Sequence, residues 1–401
     1  MSKEFLDKIS NYFDDDELVS LLQDLVAIPS YNGIENQETK VAEYIYNLFK
    51  KEGIETEITH VQDGRKNVTA VLKGKGKGKS LLLTGHMDTV PPYDMEDALE
   101  MKIDGDKLIG RGTNDMKGPL ACMIMTLIAI KRADVELEGD LIFAGVVDEE
   151  EKSLGTIDLI EKGMKTDGAI VGEPTKLDIC IAHRGLEWLE FNFEGKTVHG
   201  GAQAEGINAI LRASNFIQKA EEKIVPKLSE RKHPVTGTST MNYGTINGGT
   251  QPSTVAGSCK MKIDRRWIPS EKYEEVLNEY REVLKELKEQ DPKFKCEMKV
   301  MDISVMKEGY VHEPMEIDEN HPLVETLVKS SEEANGRTPN KTYFPAWSDG
   351  GLLHTYANIP TLVFAPGDLE TAHSKDEFID RKELVPAVKI YALTAYNFCK
   401  W

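Results

Sequence analysis

The first half of the chain alternates between two hydrophobic patterns. Apolar residues recur at roughly 3.6-residue spacing across 17–53, which predicts two helices separated by the Pro- and Gly-containing break at 28–33. The run at 80–85 is apolar and ends in Gly, which is typical of a strand buried on both faces. This alternation of strands and helices predicts an α/β fold with a mostly parallel sheet flanked by helices. Further strands are predicted at 55–60, 67–72, 140–147 and 168–171, and further helices at 117–131 and 154–163.

The pattern changes near residue 185. The order β-α-β-β-α-β that follows is typical of a ferredoxin-like domain, so we predict an inserted lid or dimerisation domain at 185–303. The flanking parts, 1–184 and 304–401, together form the predicted catalytic domain. Strands of the insert are predicted at 186–193, 240–246, 255–267 and 294–303, and its helices at 207–224 and 271–290. After the insert come predicted helices at 322–334 and 385–398, a turn and helix at 342–354, and a strand at 361–364.

Composition indicates which partners and which cellular compartment to expect. The 401 residues carry 49 basic and 68 acidic side chains, and the resulting net charge of −19 argues against nucleic acid or an anionic membrane as the main partner. None of the five cysteines forms a Cys-x-x-Cys pair, and the N-terminus shows no apolar segment typical of a secretory signal. The most apolar stretch, 119–130, is too short to span a bilayer. We therefore predict a cytoplasmic protein.

Polar side chains follow three of the predicted strands at the point where each strand ends. Ligands of parallel sheets collect at the carboxyl ends of the strands, so we expect these side chains to lie close together. Imidazole and carboxylate ligands without thiolate suit zinc, and also cobalt or manganese. The residues with this placement are His86, Glu149, Glu150 and Glu173.

Two further candidates come from other parts of the chain. Asp115 lies in the Gly-rich segment 110–118, and His373 lies near the C-terminus. Each candidate alone has a simpler interpretation, because an acidic triplet is usually a solvated loop, an Asp before a helix is often a cap, and a single His is often packed in a core. Their joint occurrence in this order instead favours a two-metal hydrolytic site.

Two carboxylates are candidates for supporting roles. Metal binding can lower the pKa of water from ~15.7 to roughly 7. Glu149 is adjacent to a candidate ligand, and it can take the proton of that water and return it to a leaving amine. Asp88, two residues after His86, can orient the imidazole.

Several motifs together resemble one known family. They are Gly-His-Met-Asp-Thr-Val-Pro at 85–91, Gly-Arg-Gly-Thr-Asn-Asp-Met-Lys-Gly at 110–118, Asp-Glu-Glu at 148–150, Gly-Glu-Pro-Thr at 172–175, and Pro-Gly followed by His at 366–373. With these motifs, the chain is similar over nearly its whole length to the M20 family of zinc metallopeptidases and deacylases, which includes acetylornithine deacetylase, succinyl-diaminopimelate desuccinylase and aminoacylase.

The resemblance implies a role for each ligand. It implies that one zinc ion is held by His86 and Glu173, and that Asp115 bridges to the second ion. It also implies that Glu150 and His373 hold this second ion. By the same resemblance, Glu149 is the general base, and a cis peptide bond follows the bridging residue, between Asp115 and Met116.

The resemblance also implies residues that contact the substrate. His199 matches an oxyanion-stabilising histidine, which is often supplied across a dimer. Arg266 matches an arginine that binds the substrate carboxylate, and its neighbour Arg265 is the alternative. Ser348 and Asp349 match a segment near the substrate. At 253–256 the chain has Ser-Thr-Val-Ala where relatives often have Asn-Val-Val-Pro, so the acyl preference does not carry over.

Together these observations predict a two-zinc amidohydrolase that cleaves the amide bond of an N-acyl amino acid, of the acetylornithine deacetylase or succinyl-diaminopimelate desuccinylase type. A dipeptidase, aminopeptidase or carboxypeptidase of the same family is an alternative. A catalytically silent amino-acid-binding dimer is an alternative from a different class. The expected partners are a small N-acyl amino acid or short peptide and a second copy of the chain, with no nucleic acid and no membrane.

Overall fold

Two units make up the computed structural model, which describes residues 2–401. The first unit consists of 2–182 and 315–401, and the second is His183–Pro314. The second unit therefore lies within the sequence of the first. Its C-terminal part extends beyond residue 303, where the sequence pattern ended the insert. The segment after 303 stays with the insert because the N–H of Leu186 donates to the backbone oxygen of His312 at 3.0 Å.

The first part of the chain alternates between helices and strands. Two short 3₁₀ helices, at Gly200–Glu205 and Leu369–Thr371, lie further along the chain. Up to residue 183 the elements are α1 (Ser2–Ile9), α2 (Asp15–Ala27), α3 (Thr39–Lys51), β1 (Glu55–Gln62), β2 (Arg65–Leu72), β3 (Leu81–His86), β4 (Lys102–Asp104), β5 (Lys107–Ile109), α4 (Lys117–Arg132), β6 (Leu141–Val146), α5 (Leu154–Glu161), β7 (Gly168–Val171) and β8 (Ile179–His183).

The remaining elements belong to the insert and to the C-terminal part of the first unit. The insert contains β9 (Gly185–Glu194), α6 (Ala209–Lys223), α7 (Val225–Glu230), β10 (Lys232–His233), β11 (Gly237–Thr238), β12 (Thr240–Gly248), β13 (Ser258–Trp267), α8 (Tyr273–Gln290) and β14 (Cys296–Val300). The C-terminal part contains β15 (Met315–Glu316), α9 (Pro322–Asn335), β16 (Lys341–Phe344), α10 (Gly350–Ala357), β17 (Thr361–Val363), β18 (Phe378–Asp380) and α11 (Arg381–Phe398).

A nine-stranded sheet runs through the first unit in the order β1-β2-β6-β3-β7-β17-β8-β15, with β16 paired to β8. The strands β6, β3, β7 and β17 are parallel to one another, as the sequence predicted. Every residue of β3 and β7 is buried, which explains their continuous apolar sequences. Parallel pairing brings the carboxyl ends of these strands to one edge of the sheet. His86 ends β3 at this edge.

Helix α4 is buried along almost its whole length. Its residues from Lys117 to Ile130 are all buried, and it packs against α11, α2 and β3. This surrounding explains why the helix lacks a polar face. Among residues 2–401, no helix combines the length and the apolar character needed to cross a bilayer.

The insert is a four-stranded antiparallel sheet in the order β12-β13-β9-β14. The long helices α6 and α8 pack on each other, and α6 packs on β9 and β13. The chain order of these six elements is the predicted β-α-β-β-α-β. Aromatic side chains fill the core, among them Phe191, Phe216 and Tyr280.

Some elements differ from the sequence predictions. The segment expected as a turn and helix at 342–354 begins with strand β16, which pairs with β8, and the helix starts only at Gly350. Neither β8 nor α1 was predicted. Both are short, and pairing or packing with distant segments stabilises them, a contribution that a local pattern does not carry. Strand β8 also neighbours β15, and the N–H of Ile317 donates to the oxygen of Ile181 at 2.9 Å.

Candidate metal centre

His86 is fixed at the carboxyl end of β3. Its Nδ1 lies 2.9 Å from the backbone oxygen of Asp88, a distance that orients the ring and turns Nε2 toward other acidic side chains. Nε2 lies 3.0 Å from Asp115 Oδ1 and 3.7 Å from Glu173 Oε1. The imidazole is 1% exposed, so these carboxylates are its immediate surroundings.

His373 approaches the same aspartate from the other side. Its Nε2 lies 3.2 Å from Asp115 Oδ2 and 3.0 Å from Glu150 Oε1. Asp115 therefore directs one oxygen to each histidine. His373 itself has a positive φ of 61°, which turns the backbone so that the half-exposed ring faces the carboxylates.

The two adjacent glutamates belong to different groups of potential donors. Ligand atoms of His86, Glu149 and Glu173 all lie within 4.8 Å of one another. Ligand atoms of His86, Asp115 and Glu150 form a second such group. The structure thus brings together all five residues expected as metal ligands, with Glu149 beside them.

Asp88 holds the turn that carries both glutamates. Its Oδ1 accepts the N–H of Glu149 at 3.2 Å, and its Oδ2 accepts the N–H of Glu150 at 3.0 Å. Oδ1 also lies 3.6 Å from His86 Nδ1. Asp88 was predicted to orient the imidazole. It also fixes the backbone of the turn that carries the two glutamates.

A buried ion-pair network supports the same turn, and the sequence reasoning missed it. Arg65 donates to Glu38 Oε2 at 2.8 Å and to Asp148 Oδ1 at 2.7 Å. Glu38 also accepts the N–H of Asp148 at 3.2 Å. Asp148 has a φ of 73°, so this network holds the residue before Glu149 in a left-handed conformation. In the sequence, only the position of Asp148 directly before the two glutamates indicated that this residue could support them.

Glu377 is a second residue that the sequence reasoning missed. It is fully buried, pairs with Arg111, and accepts backbone N–H groups of the segment that ends in Asp115. Asn114 in the same segment exchanges two hydrogen bonds of 2.8 Å with the backbone of Asp368. The Gly-rich turn and the segment around His373 are therefore joined.

Ser348 and Asp349 lie buried at the start of α10. Asp349 Oδ2 accepts a hydrogen bond of 2.6 Å from Thr156. Burial raises the pKa of Asp349 to about 6, while hydrogen bonds from Ser153 and Thr156 oppose the rise. The charge of Asp349 in turn contributes to the environment of Glu149.

The two candidates of the insert have different environments. His199 is exposed, and its Nδ1 accepts the N–H of Gly201 at 3.1 Å. Arg266 is partly buried and makes a two-point contact with Asp264, with Nε at 2.8 Å and Nη2 at 3.1 Å. Its neighbour Arg265 is fully buried and pairs with Glu271 at 3.0 Å. Strand alternation directs the two arginines to opposite faces of β13.

Burial and crowded negative charge together shift the pKa values of the centre. Burial, followed by the charge of Asp115, raises the pKa of Glu173 well above its ordinary value. Burial disfavours the charged form of His373, but hydrogen bonds with Asp115 and Glu150 outweigh this and raise its pKa to about 10. Burial likewise opposes ionisation of Asp115, yet hydrogen bonds with His373 and His86 lower its pKa. The site therefore favours positive charge at the position between these groups.

The donor set fits divalent cations. It contains only imidazole nitrogens and carboxylate oxygens, which suit zinc, cobalt or manganese. Oε1 of Glu173 is buried and lacks a hydrogen-bond partner among residues 2–401. Buried carboxylate oxygens are almost always paired, so this oxygen is available for a metal ion. The chemistry of the residues thus agrees with a metal centre.

Curated proteins similar to this chain are named as a deformylase, a deacetylase and a probable desuccinylase. N-formyl-4-amino-5-aminomethyl-2-methylpyrimidine deformylase of Halalkalibacterium halodurans is 30% identical, over 96% of this chain and 95% of its own. Acetylornithine deacetylase of Myxococcus xanthus is 30% identical over 83% of this chain and 84% of its own. A probable succinyl-diaminopimelate desuccinylase of Staphylococcus aureus is 26% identical, covering 97% and 99% of the two chains.

Solved structures share the fold. Aminopeptidase PepT of Bacillus cereus superposes with a TM-score of 0.80 at 21% identity, covering 96% of this chain and 99% of its own. The cis peptide bond between Asp115 and Met116, which the resemblance implied, is present. The sequence model described as peptidase family M20/M25/M40 matches residues 82–397. The chain therefore belongs to peptidase family M20/M25/M40 and is a hydrolase of that family.

Proposed function

We propose that the protein is a metal-dependent amidohydrolase that cleaves the amide bond of an N-acyl amino acid. The observation that carries this proposal is the position of Asp115 between two histidines, with one oxygen 3.0 Å from His86 Nε2 and the other 3.2 Å from His373 Nε2. A carboxylate that directs one oxygen to each histidine is suited to bridge the two ions of such a centre.

Each ion has its own candidate ligands in this proposal. His86 and Glu173 would hold one ion, Glu150 and His373 would hold the other, and Asp115 would contact both. Two ions would also match the charge of the site, because one divalent cation leaves one of the three ligand carboxylates uncompensated, whereas two compensate all three. Zinc is the first choice, with cobalt or manganese as alternatives.

The proposed chemistry assigns proton transfer to Glu149. The bound ions would supply Lewis-acid activation of the attacking water and the scissile carbonyl. Glu149 takes a proton from the water at its carboxylate and returns it to the leaving amine. Burial and then the charge of Glu173 raise the pKa of Glu149 well above its ordinary value. Asp88 positions Glu149 through its backbone N–H.

The insert would supply the remaining groups. His199 is proposed to donate to the developing oxyanion, and its exposed ring is consistent with contact to a substrate or a second copy of the chain. Arg266 is proposed to bind the substrate carboxylate, because the buried Arg265 is engaged with Glu271 inside the insert. Ser348 and Asp349 are buried, so we propose that they hold the metal ligands in place and do not contact the substrate directly.

Acetylornithine and succinyl-diaminopimelate are the first substrates to test. Metal-free protein would be loaded with zinc or cobalt, and release of free amine would be measured for both compounds and for dipeptides. We expect turnover of an N-acyl amino acid, and loss of turnover in Asp115→Asn. Turnover of dipeptides alone would favour the peptidase alternative. Two bound ions without turnover of any substrate would favour the silent amino-acid-binding alternative.

A second candidate function is deformylation of an amine that lacks a carboxylate. The similarity to the pyrimidine deformylase favours it, since that relative is 30% identical over 96% of this chain. The two-point contact of Arg266 with Asp264 also favours it, because a substrate carboxylate would compete with an existing ion pair. Adding an N-formyl aminomethylpyrimidine to the substrate panel distinguishes the two candidates.

We further propose that the protein forms a homodimer through the insert. Strand β12 is the edge of the insert sheet, and most of its residues are exposed. Ile246 on this strand is 50% exposed, and Leu211 of the neighbouring helix α6 is 62% exposed. An edge strand beside apolar side chains is suited to pair with a second copy.

A cytoplasmic location is part of the same proposal. All five cysteines are free, and four of them are buried, as expected of a protein kept in a reducing compartment. The net charge of −19 supports a small-molecule substrate and disfavours nucleic acid or an anionic membrane as a partner.

A further inference from the structure

We propose that Glu377 is a positioning residue that fixes the Asp115 carboxylate and the His373 imidazole relative to each other. The inference rests on the proposed metal centre, which uses both groups. Glu377 lies outside the set of candidate ligands and acts through the backbone of the segments that carry them.

One oxygen of Glu377 accepts hydrogen bonds from three N–H groups of the Gly-rich turn. Its Oε1 accepts from Gly112 at 2.9 Å, from Asn114 at 3.1 Å and from Asp115 at 3.1 Å. Gly112 has a φ of 82°, a conformation that turns successive N–H groups toward one point. A side chain at this position would also meet Thr89, whose Cγ2 lies 2.7 Å from the position of an added Cβ. The turn before Asp115 is thus shaped around a carboxylate.

The other oxygen of Glu377 forms a buried ion pair with Arg111. Oε2 pairs with the guanidinium of Arg111, and both side chains are 1% exposed. Both oxygens of this buried carboxylate thus have partners within the fold, as buried polar atoms require. Glu377 therefore contributes no ligand to the proposed metal centre.

Glu377 also belongs to the segment that carries His373. It follows that histidine by four positions, while Asp368 precedes it by five. Asp368 exchanges two hydrogen bonds of 2.8 Å with Asn114. The segment 368–377 is therefore tied to the turn at both ends, with His373 between the two attachments. This double attachment determines the separation of the Asp115 carboxylate and the His373 ring.

Two double variants isolate the acceptor oxygen from the buried charge. Glu377→Gln with Arg111→Met removes the ion pair but keeps one acceptor for the N–H groups. Glu377→Met with Arg111→Met removes the ion pair and the acceptor at similar volume. The single variant Glu377→Asp keeps the charge and withdraws the carboxylate from the turn. Glu383→Gln is the matched control, because Glu383 accepts the N–H of Gly367 at 2.7 Å and belongs to the following helix.

The measurement is binding of Co²⁺ alone to the metal-free full chain, by calorimetry and by the visible absorption of the bound ions. We expect the Met double variant and Glu377→Asp to bind one ion roughly 10–100-fold more weakly, as for loss of an outer contact to a metal ligand. The lost absorption should match that lost in His373→Ala. The Gln double variant and Glu383→Gln should retain wild-type spectra and both ions.

Two results overturn the inference, and they are distinguishable. Wild-type cobalt affinity and spectrum in both the Met double variant and Glu377→Asp would remove the positioning role while leaving the proposed function intact. Failure of the wild-type chain to bind Co²⁺ would instead remove the metal centre, and the role of Glu377 with it. If the Met double variant does not fold, as judged by thermal melting, the comparison of Glu377→Asp with Glu383→Gln decides.

Discussion

Asp88 accepts the backbone N–H of Glu149 at 3.2 Å, so the residue beside the His86 ring also fixes the turn of the proposed general base. The second oxygen of Asp88 accepts the N–H of Glu150 at 3.0 Å. One buried side chain thus connects a candidate ligand at the end of β3 with two acidic residues that follow β6.

Replacing Asp88 tests this connection. Asp88→Asn keeps one oxygen acceptor but loses the other, so one of the two N–H groups is left without its partner. We expect metal affinity to fall roughly 10–100-fold, with activity recovering at high metal concentration. Metal titration of the purified variant measures the effect. Unchanged affinity together with a large loss of activity at saturating metal would contradict this account.

Glu149→Gln should separate proton transfer from metal binding. The amide cannot take up a proton, so we expect kcat to fall roughly 100–10,000-fold while two ions remain bound. Glu151→Gln, in the same acidic triplet, is the matched control and should retain activity. Metal content by mass spectrometry and amine release at saturating substrate give the two readouts. Loss of an ion from Glu149→Gln would reassign this residue as a ligand.

Asp264→Asn should change the affinity for substrates that carry a carboxylate. Asn keeps an acceptor for Arg266 but removes the competing charge, so the guanidinium becomes more available. We expect KM for an N-acyl amino acid to fall about fivefold, the effect of roughly 1 kcal/mol. KM for a neutral formamide should stay constant. Equal changes for both substrates would show that Arg266 does not contact the carboxylate.

Charged substitutions at the insert edge should dissociate the proposed dimer. Ile246→Asp and Leu211→Asp place a charge in the interface, so we expect the wild-type dimer to become a monomer of 44.9 kDa. Ile303→Asp is the control, because Ile303 is 53% exposed and lies outside β12 and α6. Sedimentation velocity measures the masses. A monomeric wild-type chain would rule out this interface at the concentration used.

Glu187 should make the stability of the protein depend on pH. Burial raises the pKa of Glu187 to about 7, while hydrogen bonds with Ser304 and Tyr273 oppose the rise. The folded chain therefore holds a proton that the unfolded chain releases at lower pH, and the free energy of unfolding falls as the pH rises through about 7.

Glu187→Gln should remove this contribution. Between pH 5 and 8, we expect the free energy of unfolding of the wild type to fall by up to about 3 kcal/mol more than that of the variant. Denaturant unfolding at both pH values measures the difference, and Glu194→Gln on the exposed end of the same strand is the control. A parallel pH dependence of wild type and Glu187→Gln would mean that Glu187 ionises normally in the fold.

The sequence predicted the parts of the fold that depend on local pattern. The apolar run that became β3 and the alternation that became β9 are both visible without any distant contact. Placement of polar residues after strands also predicted that His86 and Glu173 would share one sheet edge. The convergence of Asp115 and His373 was inferred from the joint occurrence of the candidate ligands and from the family resemblance, because no periodic pattern links residues so distant in sequence.

The residues that hold the ligands were not predictable in the same way. Arg111 and Glu377 are 266 positions apart, and Arg65 and Asp148 are 83 positions apart. A charged residue that will be buried in such a pair has the same local sequence as one that will face solvent. Only the three-dimensional structure distinguishes them, because their burial depends on a partner contributed by another segment.

The neighbouring positions of β8 and β15 have a consequence for engineering. The chain leaves the first unit after β8 and returns through β15, and Ile181 and Ile317 are hydrogen-bonded across that junction. A short flexible linker could therefore replace the whole insert without stretching the large sheet. The shortened protein would keep all candidate metal ligands in the first unit. Other substrate-binding domains could then be inserted between β8 and β15.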